Sequence, residues 1–117
     1  MGLFSALRTP SVHADEVADL LARGGTMLDV RESAEWNAGH APHAVHVPLG
    51  RLADAPRRLK EGAPVVVVCR SGNRSRGATS RLRQMGYEAY NLKGGMRAWA
   101  RDGGRLVDRR NRPGAVV

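Results

Sequence analysis

The run "PVVVVC" at residues 64–69 constrains this chain more than any other stretch. A half-exposed strand would alternate apolar and polar residues, and a succession of β-branched side chains is poorly suited to a helix. Four consecutive valines are apolar on both faces, as in a central strand of a parallel sheet covered by helices on both sides. Ligands of open parallel sheets sit beyond the carboxyl ends of the strands. The residue delivered there is Cys69, the only cysteine of the chain.

The segments around this strand read as alternating helices and strands. "SVHADEVADLLARGG" predicts a helix with Asp15 near its start, Val17, Leu20 and Leu21 on one face, and Gly24 and Gly25 as its stop. "TMLDV" is a short buried strand ending at Asp29, "ESAEWNAGH" a helical turn stopped by Gly39, and "AVHVP" a second strand closed by Pro48. "LGRLADAPRRLKEG" places Leu52, Pro56 and Leu59 on one helical face, with Pro56 breaking the helix in two. A helix from about Ser75 carries Ala78, Leu82 and Met85 on one side and ends at Gly86. "YEAYNL" is a strand, and "GGMRAWARDGG" a short helix turning Met96, Trp99 and Ala100 inward. The basic, weakly patterned "RLVDRRNRPGAVV" reads as a solvated, partly ordered extension. The alternation predicts an α/β fold with a parallel sheet flanked by helices on both faces.

At 117 residues the chain is long enough for one domain with a modest core. No apolar stretch approaches the ~20 residues that span a bilayer, so no membrane partner is expected. "MGLFSALRTP" lacks the basic lead of a signal peptide, and Ala6 stands where myristoylation favours Ser or Thr. One cysteine makes neither an internal disulfide nor a multi-thiolate metal site, and a cytoplasmic location is the default expectation. The formal charge of +8 rests on 19 basic residues, of which only Lys60 and Lys93 are lysines. Such a surface attracts anions, but no motif of a nucleic-acid reader accompanies it, and nucleic acid is not expected as a partner.

"CRSGNRSRGA" places the thiol where several forces favour its anion. A free thiol is only a few per cent ionised at neutral pH. A short glycine-bearing loop lets successive N–H groups point inward, and the following helix aims its positive end at the same spot. Arg70 and Arg74 add formal charge. Cys69 to Arg74 spans six residues, C-x4-R. A cysteine-dependent phosphatase needs one more residue to wrap a phosphoryl group, whereas the tighter loop suits a sulfur carried on the thiolate. No aspartate is evidently placed as a general acid for an alkoxide leaving group.

"LDVRESAEWNAGHAPHAVHVPL", "VVVVCRSGNRS" and "NLKGGMRAWARDG", in this order, resemble the single-domain rhodaneses, a family of sulfurtransferases. The resemblance covers residues 10–103, leaving a short extension at 1–9 and a basic tail at 104–117. It implies a parallel sheet of about five strands and a ping-pong reaction through a cysteine persulfide. Carried over by position, Cys69 is the persulfide-forming nucleophile. The loop Arg70, Ser71, Gly72, Asn73, Arg74 and Ser75 binds substrate through its backbone amides, with Arg70 placed to hold an anionic donor and Arg74 closing the loop. Asp29, Arg31, Glu35, Trp36, Gly39 and His40 match the family framework and are read as structural, as are Gly94, Gly95 and Trp99.

The resemblance implies a small anionic sulfur donor such as thiosulfate. The acceptor would be a thiol in trans, such as thioredoxin, glutathione or a sulfur-relay protein, because no second cysteine is present to resolve a persulfide. No cofactor and no metal are expected. A persulfide carrier, a non-catalytic interaction module and a phosphatase or arsenate reductase on the same fold are the alternatives. In the family pattern G-H-x-P-G-A-x-N-x-P, this chain has His43 and His46 in place of Gly and Asn. With His40 they suggest a metal ladder, but Pro42 and Pro48 make convergence of the rings an unsafe expectation.

Overall fold

The computed structural model describes residues 9–117. The signal and acylation features read from the first residues lie outside the described residues. Five strands form one sheet in the order β1-β5-β4-β2-β3, and every neighbouring pair is parallel. They are β1 (Ser11–Val12), β2 (Thr26–Asp29), β3 (Val45–His46), β4 (Val65–Val68) and β5 (Ala89–Leu92). The helices are α1 (Val17–Ala22), α2 (Ser33–Ala38), α3 (Asn73–Gln84) and α4 (Gly95–Arg101), with 3₁₀ segments at Ala14–Glu16 and Leu49–Arg58.

The valine run occupies the central strand β4, and its side chains alternate between two cores. Val65 and Val67 join Leu28, Leu52, Ala78 and Leu82 beneath α3 and the long 3₁₀ segment. Val66 and Val68 join Val12, Val17, Leu92 and Met96 beneath α1 and α4. All four valines are at most 1% exposed, so each contributes about 1.5–3 kcal/mol of burial. Cys69 continues the first series at the strand's carboxyl end.

Several local expectations are revised. Ser11–Val12, read as the start of a helix, instead forms β1, because the edge of β5 requires acceptors: Asn91 N donates to Pro10 O and Lys93 N to Val12 O, each at 2.9 Å. The turn then begins at Ala14, with the Glu16 carboxylate accepting from His13 N at 2.8 Å. Pro56 does not break the Leu49–Arg58 segment; the irregular backbone is at Arg51, and Pro56 is exposed. The 3₁₀ geometry buries Leu52 and Ala55, three residues apart. Leu21 and Met85 are exposed rather than packed, Met85 because it caps the end of α3.

The C-terminal segment is largely exposed, as expected, but it follows a defined, hydrogen-bonded path. Val107 pairs antiparallel with His40 and bridges Pro113 across a reversal whose Asp108 Oδ1 accepts from Arg110 N and Arg112 N, each at 2.9 Å. Ala115 N then donates to Ala38 O at 3.0 Å. Gly39 makes this approach possible, since a Cβ there would lie 2.3 Å from Ala115 O. Leu106 and Val116 supply the apolar contacts on the second core. Among the described residues no helix is long and apolar enough to cross a membrane.

Candidate active site

After β4 the chain turns through Cys69–Gly72 and enters α3 at Asn73. Gly72, the N-cap, sits at φ +102°, a left-handed conformation that glycine adopts without steric cost. This turn directs the unpaired amides of the first turn of α3 back at the strand end. Gly72 N donates to Cys69 Sγ at 3.1 Å and Ser75 N at 3.3 Å, while Ser75 Oγ lies 3.2 Å from the same sulfur. Cys69 is 1% exposed. Burial is the largest single influence on the thiol and pushes its pKa up; the hydrogen bonds of the Ser75 hydroxyl and of the Ser75, Gly72 and Ser71 amides outweigh it, leaving the thiol below its ordinary value.

The loop is braced from behind by α4. Met96 N donates to Cys69 O at 2.8 Å and Arg97 N to Arg70 O at 3.1 Å. Gly95, at φ +59°, permits this contact, because a Cβ there would lie 2.4 Å from Cys69 O and 2.6 Å from Arg70 O. The second glycine of the "GG" after β5 therefore marks a close approach of one backbone to another.

The loop residues divide into a floor and a rim. Gly72 and Ser75 are buried beneath the sulfur, whereas Arg70, Ser71 and Asn73 are exposed. Arg70 Nε donates to Val117 O at 2.9 Å, so the C-terminal segment reaches the rim. Arg74 forms a two-pronged ion pair with Glu35 of α2, Nη1 to Oε1 and Nη2 to Oε2, both at 2.8 Å. That pairing holds the Glu35 carboxyl at about pKa 2 and pushes the Arg74 guanidinium up. Arg74 thus closes the loop by anchoring it to α2, with its charge shared between Glu35 and the field at Cys69.

The framework residues hold the neighbouring strand end. Arg31 binds Asp29 through Nε and Nη2 and reaches Gly39 O at 2.8 Å, with both members of the pair fully buried. His40 and His46 both stack on Trp36, at centroid distances of 3.6 and 4.8 Å. Their polar edges are engaged: His40 Nδ1 lies 2.7 Å from Trp36 O, and His46 Nε2 lies 2.7 Å from Arg31 O. His43 is exposed at φ +67° and does not join them. The three rings therefore form no ladder.

One further residue, Asn91, is not marked by the sequence pattern but touches the site. Asn91 is 5% exposed on β5, where Nδ2 donates to Gly72 O at 3.0 Å and Oδ1 accepts a short hydrogen bond from Ser75 Oγ. The available signal was an amide in the otherwise apolar "YNL", on a strand adjoining the one that ends at the cysteine.

The geometry invites comparison with known proteins. The chain is 37% identical over 73 residues to YtwF of Bacillus subtilis strain 168, a candidate sulfurtransferase, covering 62% of this chain and 71% of that protein. It is 36% identical over 74 residues to YrkF of the same organism, a candidate sulfur carrier protein, covering 62% of this chain but only 40% of that longer one. Among solved structures, a rhodanese-related protein from Thermoplasma volcanium superposes with a TM-score of 0.76 at 28% identity, covering 84% of this chain and 97% of that one. A thiosulfate sulfurtransferase from Pseudomonas aeruginosa also superposes at 0.76, with 27% identity over 93% of this chain and 22% of that one. The rhodanese-like domain family matches residues 13–102, and the chain belongs to it.

Proposed function

We propose that this protein is a sulfurtransferase that moves a sulfane sulfur from thiosulfate or a similar anionic donor to a thiol or cyanide, through a persulfide on Cys69. The observation that carries this reading is the convergence of two backbone amides and a hydroxyl on a single buried sulfur at the end of the central strand. A thiolate in that cradle attacks the outer sulfur of thiosulfate. The new S–S bond forms as the old one breaks, and the electron pair leaves with sulfite. The terminal persulfide sulfur carries the negative charge, which the amides of the loop Arg70–Ser75 stabilise as an oxyanion hole does for oxygen. Attack by cyanide or a thiolate on that outer sulfur restores the Cys69 thiolate.

Arg70 on the rim supplies positive charge for the departing sulfite, exchanging its contact with Val117 O for the donor. With one cysteine in the chain, acceptance occurs in trans, and thioredoxin, glutathione or a sulfur-relay protein has the required chemistry. The likeness to YrkF favours a second version, a persulfide carrier that hands its sulfur to a dedicated partner. Both versions are consistent with a cytoplasmic protein. Thiocyanate formation from thiosulfate and cyanide tests the reading, with a phosphate ester as counter-substrate. Turnover of thiosulfate and none of the ester is expected; ester hydrolysis alone would overturn it. Loading without efficient turnover would identify the carrier.

A further inference from the structure

Ser75 Oγ carries one proton and stands between two acceptors. On one side is Cys69 Sγ at 3.2 Å; on the other is Asn91 Oδ1, in a short hydrogen bond. The Asn91 amide has one sensible orientation, because Nδ2 donates to Gly72 O at 3.0 Å. A flip would set Oδ1 against the Gly72 carbonyl oxygen. Oδ1 therefore faces Ser75 as a pure acceptor. Cys69, Ser75 and Asn91 are 1%, 0% and 5% exposed, so bulk water does not replace a lost partner.

With Cys69 protonated, the sequence S–H to Oγ–H to Oδ1 satisfies every group. A thiolate loses its own proton and keeps the Gly72 and Ser75 amides as donors. The hydroxyl proton must then choose. Turning to sulfur gives the thiolate a hydroxyl donor beside its amides but strips Oδ1 of its partner. In a persulfide the charge moves to the outer sulfur, Sγ is neutral, and the hydroxyl proton returns to Asn91.

We propose that Asn91 is a positioning residue of the sulfur site: by competing for the single Ser75 proton it disfavours the bare thiolate and favours the two states, thiol and persulfide, in which Sγ bears no charge. The inference rests on the reading of Cys69 as the sulfur-bearing nucleophile. The charged groups around the sulfur are fixed independently of Asn91. Arg74 of α3 is held by Glu35 of α2, Asp29 and Arg31 at the end of β2 neutralise each other, and Arg70 is held by Val117 O. From α4, Arg97 is exposed and only its backbone amide engages the loop; Lys93, after β5, is exposed.

The test is a pH titration of thiolate absorbance in the full chain, supported by alkylation rates. Asn91→Leu removes the competing acceptor and raises the thiolate fraction below the midpoint about tenfold, the size of one hydrogen bond to a charged group. Asn91→Ser is too short to reach both partners and carries the same expectation if the leucine variant does not fold. In a Ser75→Ala background either substitution leaves the titration unchanged. An unchanged or smaller thiolate fraction in the single variants would overturn the proposal. So would an effect that persists without the hydroxyl, since Asn91 would then act only as a clamp on Gly72. The readout needs no sulfur donor, so a wild-type protein that fails to take up sulfur would refute the sulfur-transfer reading while leaving the proton competition separately tested.

Discussion

Gly95 lies so close beneath Cys69 that a Cβ on it would stand 2.4 Å from the Cys69 carbonyl oxygen. That separation is inside any tolerated contact, and both neighbours are backbone. The residue is also at φ +59°, which costs a non-glycine residue about 1–2 kcal/mol. Gly95→Ala should therefore lower stability by about 2–4 kcal/mol in urea denaturation. A loss well under ~1 kcal/mol would contradict the close approach.

The Glu35–Arg74 pair gives a pH-dependent prediction. The Arg74 hydrogen bonds outweigh the opposing effect of burial and hold the Glu35 carboxyl at about pKa 2, below the ~4.3 of an unfolded glutamate. A depressed folded pKa contributes stability above the unfolded value and loses it as pH falls toward the folded value. Arg74 is 37% exposed, so solvent screening reduces the contribution to about 1 kcal/mol. Glu35→Gln should cost that amount at neutral pH, and the difference from wild type should shrink between about pH 4.5 and pH 2. A difference constant with pH would refute the pairing.

Much of this arrangement was legible because it follows from local chemistry. Four valines on both faces of one strand mark the sheet centre, and the residue after them is placed at its carboxyl end. Gly72 and the helix after it make the amide cradle readable from "CRSGNRS". What escaped depends on pairing between distant segments. Ser11–Val12 is a strand only because β5 needs acceptors there, and the tail is ordered because Gly39 leaves room for Ala115. The Arg74 charge reads as free until Glu35, 39 residues away in sequence, is placed against it. Asn91 acquires meaning only when β5 lies beside β4.

His43 occupies the position where the rhodanese pattern has glycine, and its φ of +67° gives the reason glycine suits it. The side chain is exposed and joins neither His40 nor His46 in stacking on Trp36. His43→Gly should raise stability by about 0.5–1 kcal/mol, the relief of left-handed strain less the added unfolded-state entropy. Thermal unfolding checks this, and a lower midpoint would show that His43 makes a stabilising contact.

In the proposed reaction Arg70 serves donor binding rather than the chemistry at sulfur. Its side chain is on the exposed rim, and its carbonyl, not its guanidinium, meets α4. Arg70→Met should raise KM for thiosulfate about tenfold or more while leaving thiolate formation at Cys69 nearly unchanged, as expected for loss of one charge-assisted contact. An unchanged KM would remove Arg70 from the donor site.

Persulfide formation on Cys69 is read from the intact mass of the purified protein after thiosulfate treatment, beside a Cys69→Ser control. A gain of one sulfur atom is expected on the wild-type chain, reversed by cyanide and absent from the control. No gain with thiosulfate or any other sulfane donor, or an equal gain on the control, would contradict it.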